Sequence, residues 1–485
     1  MTEQTEAAAE AADYDVIVLG AGPVGENLAD RTQAAGLKTL IVESELVGGE
    51  CSYWACMPSK ALLRPGIALD DALRVAGARE AVSGRLAAEA VLARRDSFTK
   101  NWNDEGQVGW LDSVGVELLR GHGRLDGPRR VAVRTPDGEV RKLTARHAVG
   151  VSVGTAALLP DGLPGLDSAK VWTSRDATSS HAVPDRLAVV GGGVVAVEMA
   201  TAWRSLGSEV VLLVRDGALL PRMEPFVSEY VTDALRKAGV DVRFGVSVTK
   251  LDRPSYPGPV TATLDDGSSV EADEILFGTG RRPHTEDIGL ETVGLKPGSW
   301  LETDDSCLVR AVEGDWLYAV GDVNHRALLT HQGKYQARIA GAVIGARAHG
   351  ETPEATAWSP YAATADIAAV PQVVFTDPEV ASVGLTAAEA EAKGLRARTV
   401  DYDLGSVAGA SLYADGYNGK ARMVVDLDRE VLLGVTFVGP GVGELIHSAT
   451  VAVAGEVPIS RLWHAVPSYP TISEIWLRLL ETYRG

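Results

Sequence analysis

The sequence predicts an α/β protein built on two Rossmann-like dinucleotide-binding folds. Two observations carry this. A strand–glycine–helix–strand unit occurs twice, with its first glycine at Gly20 and again at Gly191. Between the two units lies a close cysteine pair, Cys51 and Cys56, two of only three cysteines in 485 residues, which points both units toward redox chemistry.

At this length the chain should hold about three domains with ample core. Apolar residues make up 46% and charged residues 23%, an ordinary globular profile. A net charge of −19 argues against nucleic acid and anionic membrane as main partners. Three cysteines exclude a secreted disulfide scaffold. The start, MTEQTEAAAEAAD, lacks the basic and apolar regions of a signal peptide, and no 18-residue apolar run is free of charge. The expectation is a cytoplasmic protein with a disordered tail over 1–13. No metal site is expected.

The first unit reads DVIVLGAGPVGENLADRTQAAGLKTLIVE from Asp15 to Glu43. VIVLG is a buried parallel-strand run. Gly20 permits the tight turn, Gly22 lets the backbone approach a pyrophosphate, and Gly25 lets helix and strand pack closely. Glu43, ending the second strand, is placed to accept hydrogen bonds from an adenosine ribose. The second unit, RLAVVGGGVVAVEMATAWRSLGSEVVLLVR, places Gly191, Gly193 and Ala196 at the three glycine positions. Its second strand ends in Arg215 rather than an acid, with Arg222 seven residues on. An acid would bind a ribose 2′-hydroxyl and repel a 2′-phosphate, and an arginine does the reverse. This favours NADPH, with NADH possible; a solvated strand-end charge is the plainer alternative for Arg215.

The cysteines sit in GGECSYWACMPSK. On a regular helix, positions i and i+5 are roughly 8–9 Å apart, and a disulfide needs about 4.4–6.8 Å. They can pair only if the helix start is distorted, and a strained disulfide there is readily reduced. Opened, the thiols lie at the positive end of a helix dipole, which favours thiolate. Two packed thiols in a core helix are the alternative on spacing alone. Two dinucleotide sites plus a labile dithiol suggest a relay from nicotinamide to flavin, as FAD, to disulfide.

With these residues in hand, the chain over about 14–485 resembles the class I pyridine nucleotide-disulfide oxidoreductases, the family of glutathione reductase, dihydrolipoamide dehydrogenase and mercuric reductase. GGECSYWACMPSK is similar to the family's redox run. EILFGTGRRP at 274–283 is similar to the stretch leaving the nucleotide domain, LYAVGDV at 317–323 to the second flavin fingerprint, and FTDPEVASVGLT at 375–386 to the start of the dimer-forming domain. The resemblance implies an FAD-binding domain over 14–166 and 283–350, an NAD(P)H domain over 167–282, and a C-terminal α+β interface domain over 351–485 that makes a homodimer sharing its active site.

Carried over by position, Cys56 faces the flavin and Cys51 exchanges with substrate. Lys60 lies near the flavin and pairs with Glu198, and Asp322 bonds the ribityl chain. Gly49, Gly123 and Thr155 fall at the FAD site and Gly280 at the nicotinamide site. Cys307 matches no family role and reads as a packed cysteine.

The departures lie at the output end. The family's dithiol enzymes carry a His-Pro-Thr-x-x-Glu run that supplies the acid/base histidine from the partner subunit. Here the run is YPTISE, with Tyr469 at the histidine position and Glu474 in place. Histidine titrates at about 6.5 and tyrosine at about 10, so tyrosine is a poor base at neutral pH. His464 is the alternative donor. Tyr53 and Trp54 add bulk between the cysteines, and Trp54 with the Tyr-Pro-Thr run resembles soluble pyridine nucleotide transhydrogenases, which lack the second cysteine. Val194 stands where glutathione reductase has a tyrosine over the nicotinamide pocket. The leading expectation is a flavin-dependent NADPH:disulfide or dithiol oxidoreductase. The alternatives are a quinone or dye reductase or transhydrogenase acting at the flavin, and a non-catalytic flavoprotein.

Overall fold

Runs of β-branched residues between glycine turns build both nucleotide folds, seen in a computed structural model that describes residues 12–485. The segment 1–11 of the expected tail lies outside the described residues. At its end, Asp13 is tied down, its carboxylate accepting from the Thr144 N–H and hydroxyl at 2.8 and 2.9 Å. The described residues fall into two units.

The first unit takes in 12–51, 102–156 and 282–364. Its sheet runs in the order Glu117–Arg120, Thr39–Glu43, Tyr14–Leu19, Val140–Val151, with Leu317–Ala319 also paired to Val140–Val151. These neighbours are parallel, as a doubly wound fold requires. Val16 to Leu19 are essentially fully buried, which fits a strand covered on both faces. The strands His122–Leu125 and Arg130–Arg134 branch off as an antiparallel meander. Helices Pro23–Ala34 and Thr330–Ala348 pack together where Gly341 has no side chain to push against Arg31. Cys307 is fully buried, as the packed reading expects.

The second unit takes in 52–101, 157–281 and 365–485. A four-stranded parallel sheet has the order Asp241–Phe244, Glu209–Val214, Arg186–Val190, Glu274–Phe277. Helix Val194–Ser205 lies beside helix Cys56–Leu73, and a Cβ at Gly66 would come within 2.9 Å of the Ser205 hydroxyl. The chain ends in a five-stranded antiparallel sheet, in the order Pro371–Val374, Glu379–Gly384, Val431–Gly439, Lys420–Asp426, Ala397–Asp403. It is backed by helices Val442–Ala454 and Ile475–Arg484. No helix among the described residues is long and apolar enough to cross a membrane.

Candidate functional site: two dinucleotide cradles and a dithiol helix

The first glycine turn is built as a cradle. Gly20 has φ +94° and passes so close to Ser152 that a Cβ would sit 2.6 Å from its carbonyl oxygen. A Cβ on Gly25 would overlap the Gly20 carbonyl oxygen, so helix Pro23–Ala34 can seat only with glycine there. Gly22 is different: a Cβ there would meet nothing within 4 Å, leaving bare backbone at the helix start. A Cβ on Gly49 would lie 2.9 Å from the Gly22 Cα, so this glycine keeps that space open. Glu43 accepts from the Ala21 N–H and the Glu45 N–H, both at 2.7 Å. Burial pushes its carboxyl up, and these main-chain donors pull it back.

Thr155 donates to Asp322 at 2.8 Å, joining two flavin-side candidates 167 residues apart. Gln336 holds the same turn, accepting from the Gly321 N–H at 2.7 Å and the Asn324 amide at 2.8 Å. At Gly123 a Cβ would run into the Leu19 and Val42 side chains, which gives this glycine a packing reason. The open backbone at Gly22, the strand-end acid and the Thr155–Asp322 pair fit a flavin dinucleotide.

In the second unit Gly191 has φ +131° and crowds the Gly278 carbonyl, while Gly193 is open as Gly22 is. Ala196 is fully buried, so its methyl fills the third-glycine position. Gly280, at φ +144°, packs against Leu158. Arg215 is exposed and pairs with Asp216 at 3.3 Å. Arg222 is also exposed. These residues fit a nicotinamide dinucleotide, with Asp216 an anion beside the expected phosphate-binding arginine.

The dithiol segment is a broken helix. Cys51 is the third residue of helix Gly49–Tyr53, and Cys56 is the first of helix Cys56–Leu73. Ala55 between them has φ −131° and ψ −95°, outside the helical region. Both cysteines are half-buried. This is the distorted start that a pairing at this spacing needs. Cys56 heads an 18-residue helix, where exposed main-chain N–H groups favour an anion.

One turn on, Lys60 Nζ meets Glu198 Oε2 at 2.7 Å. The close approach at Gly66 and Ser205 explains the encounter, because Lys60 and Glu198 lie about two turns earlier on the same two helices. Glu198 is buried, and its other oxygen accepts from the Phe375 N–H at 3.0 Å. Lys60 Nζ also lies 4.8 Å from the centre of the Phe375 ring.

The family model described as pyridine nucleotide-disulphide oxidoreductase matches residues 14–343, and the dimerisation-domain model of the same family matches 370–479. The chain belongs to the pyridine nucleotide-disulphide oxidoreductases. A dihydrolipoyl dehydrogenase of Thermus scotoductus is 33% identical over 471 residues, spanning 95% of both chains. A mercuric reductase of Staphylococcus aureus is 28% identical over 95% of this chain and 81% of its own. Two solved structures share the fold. LpdA of Mycobacterium tuberculosis has a TM-score of 0.82 at 24% identity, covering 97% of this chain and 99% of its own. The HOCl-induced flavoprotein disulfide reductase RclA of Escherichia coli has a TM-score of 0.80 at 21% identity, covering 96% and 99%.

This pyridine nucleotide-disulphide oxidoreductase is thus an FAD-dependent enzyme that uses NAD(P)H and carries a dimerisation domain. The C-terminal candidates differ in exposure. Tyr469 is 76% exposed, whereas Glu474 is buried and accepts from the Gly409 N–H at 3.3 Å. No hydrogen bond joins Tyr469 to Glu474 within the chain, and His464 is exposed. Leu412, Val451 and Val466 are exposed apolar residues of the same C-terminal region.

Sequence reasoning missed several contributors. The Phe375 N–H carries no signature because any residue supplies one. Gln336 lies in the helix Thr330–Ala348 with nothing in the run QGKYQAR to single it out. Arg175 and Thr178, which hold Trp54, sit on a six-residue helix without a motif.

Proposed function

We propose that this enzyme reduces a Cys51–Cys56 disulfide with electrons from NADPH and passes them to a disulfide- or dithiol-type acceptor. The observation that carries the reading is the helix break at Ala55, directly before Cys56, with the Lys60–Glu198 pair one turn below it. FAD, when bound, relays the two electrons of the nicotinamide hydride to a disulfide. Opening the S–S bond would take the hydride's two electrons and its proton, leaving Cys56 as thiolate at its helix start and Cys51 as thiol; the second proton, taken from solvent, goes to the last thiol released. Lys60, held by Glu198, places a cation where negative charge builds up during reduction. The Cys51 sulfur, once deprotonated, attacks an acceptor disulfide and releases one thiol. Cys56 then attacks Cys51, releases the second thiol and restores the S–S bond, so two electrons and two protons reach the acceptor.

Arg215 supports NADPH over NADH, and the exposed Leu412, Val451, Val466 and Tyr469 support a homodimer in which Tyr469 reaches the partner's dithiol. The test compares acceptors in wild type and Cys51→Ser. Activity on glutathione disulfide, lipoamide or a related disulfide should fall at least about a hundredfold in the variant.

A second reading is favoured by one observation: Tyr469, exposed and unlinked to Glu474, replaces the acid/base histidine. In that case quinones, dyes or a second nicotinamide nucleotide accept electrons directly from the flavin. Quinone turnover that survives Cys51→Ser, with no disulfide turned over by wild type, would establish it.

A further inference from the structure

The segment between the cysteines is gripped at two points. Trp54 contributes a carbonyl that a continuous helix would pair with the N–H four residues on, and that residue is Pro58, which has none. The carbonyl is instead reached by the Thr178 hydroxyl at 2.7 Å. The Thr178 hydroxyl has two further carbonyls near it, Ser174 at 3.0 Å and Arg175 at 3.2 Å, and Trp54 is the nearest. The Trp54 ring is covered by the Arg175 guanidinium, 3.9 Å from the ring centre. Main chain and ring of one residue are therefore held by the same short helix, Ser174–Ser179.

That helix is fixed at both ends. Thr173 and Asp176 form a capping box at its start. At its end the fully buried Arg95 donates to the Thr178 carbonyl, to the Ser180 carbonyl at 2.8 Å and to Asp96 at 2.6 Å. Shifting the helix would take two carbonyl acceptors from a buried guanidinium, which costs more than losing an exposed contact. Thr178 itself is buried, and Tyr53 packs edge-on to Trp54, with ring centres 5.7 Å apart.

We infer that Thr178 and Arg175 are positioning residues for the dithiol, acting through Trp54 to hold open the helix break that separates Cys51 from Cys56. The inference rests on the proposed disulfide relay and names what sets its geometry. Without the Thr178 hydroxyl, the Trp54 carbonyl loses its partner and Pro58 cannot supply another. The break then relaxes, and Cys56 shifts from the position in which the proposed relay would use its thiolate.

The test uses the FAD-loaded protein, titrated anaerobically with NADPH. Two readouts are taken: the long-wavelength charge-transfer absorbance at two-electron reduction, and the dithiol midpoint potential. Thr178→Val keeps the shape and removes the donor, and should cut the band to about half or less and shift the potential. Thr178→Ser, which keeps the donor, should recover both. Arg175→Leu, at a half-buried site, should weaken the band in the same direction and Arg175→Lys should restore part of it, which keeps the inference testable if the Thr178 variants fold poorly. A Thr178→Val enzyme with full FAD content and the wild-type band and potential would overturn the inference alone. So would Thr178→Ser falling as far as Thr178→Val. Absence of the band from wild type would overturn the relay and this inference with it.

Discussion

Glu198 is a buried carboxylate whose two oxygens take Lys60 Nζ and the Phe375 N–H. Removing one partner of such a pair costs more than removing both, because the survivor stays charged and buried. Lys60→Met should therefore lower stability by about 2 kcal/mol, and Lys60→Met with Glu198→Gln should recover part of it; chemical denaturation of the four proteins in the cycle measures this.

Glu26 makes a second case. It is buried, its Oε1 has no hydrogen-bond partner, and burial pushes its carboxyl up to about 7, with Lys334 pulling down and Glu43 pushing up. The folded chain thus holds a proton that the unfolded chain releases from pH about 4.5 upward. Its contribution falls as pH rises through about 7, by up to roughly 3 kcal/mol. Glu26→Gln should raise the thermal midpoint at pH 8 and barely move it at pH 5. A lower midpoint at pH 8 would mean the ionised carboxylate has a partner.

At Arg215 the neighbouring Asp216 tempers the expected preference. Asp216→Asn should strengthen NADPH binding, and Arg215→Glu should swing the NADPH-to-NADH ratio of kcat/KM by roughly tenfold toward NADH. Unchanged ratios in steady-state kinetics would remove Arg215 from the nucleotide site.

At the scale of elements, the glycine turns were readable because their spacing is imposed by backbone contact. Gly20, Gly22, Gly25 and Gly191, Gly193 occupy the tight, open and close-packed roles that the motif assigns, and the second unit tolerates Ala196 in the third. Gly25→Ala would force the helix off the Gly20 carbonyl oxygen. It should be purified with a clearly reduced flavin-to-protein ratio, read from absorbance.

The broken helix at Ala55 is the distortion that a Cys51–Cys56 pairing would need, the condition the spacing set. What holds the break was not legible. The Thr178 hydroxyl comes from 124 residues away and the Arg175 guanidinium from the same short helix, and neither a short helix nor a single threonine announces its tertiary partner. At Gly123, placed at the FAD site by resemblance, the structure adds a packing need, since a Cβ would run into Leu19 and Val42.

For the whole molecule, an ionic hub centred on the buried Glu224, at the start of helix Pro225–Lys237, ties that helix to the C-terminal sheet of the second unit. Glu224 accepts from the Ala387 N–H and from Arg422, both at 2.8 Å, while Arg422 grips Asp401 with two further hydrogen bonds. This hub pairs residues up to 198 positions apart with no shared motif, so the sequence did not announce it.

The input half stands or falls on one anaerobic NADPH titration of wild type and Cys56→Ser. The account predicts a long-wavelength charge-transfer band in wild type at two-electron reduction and none in the variant. Direct bleaching of the wild-type flavin without that band would contradict it.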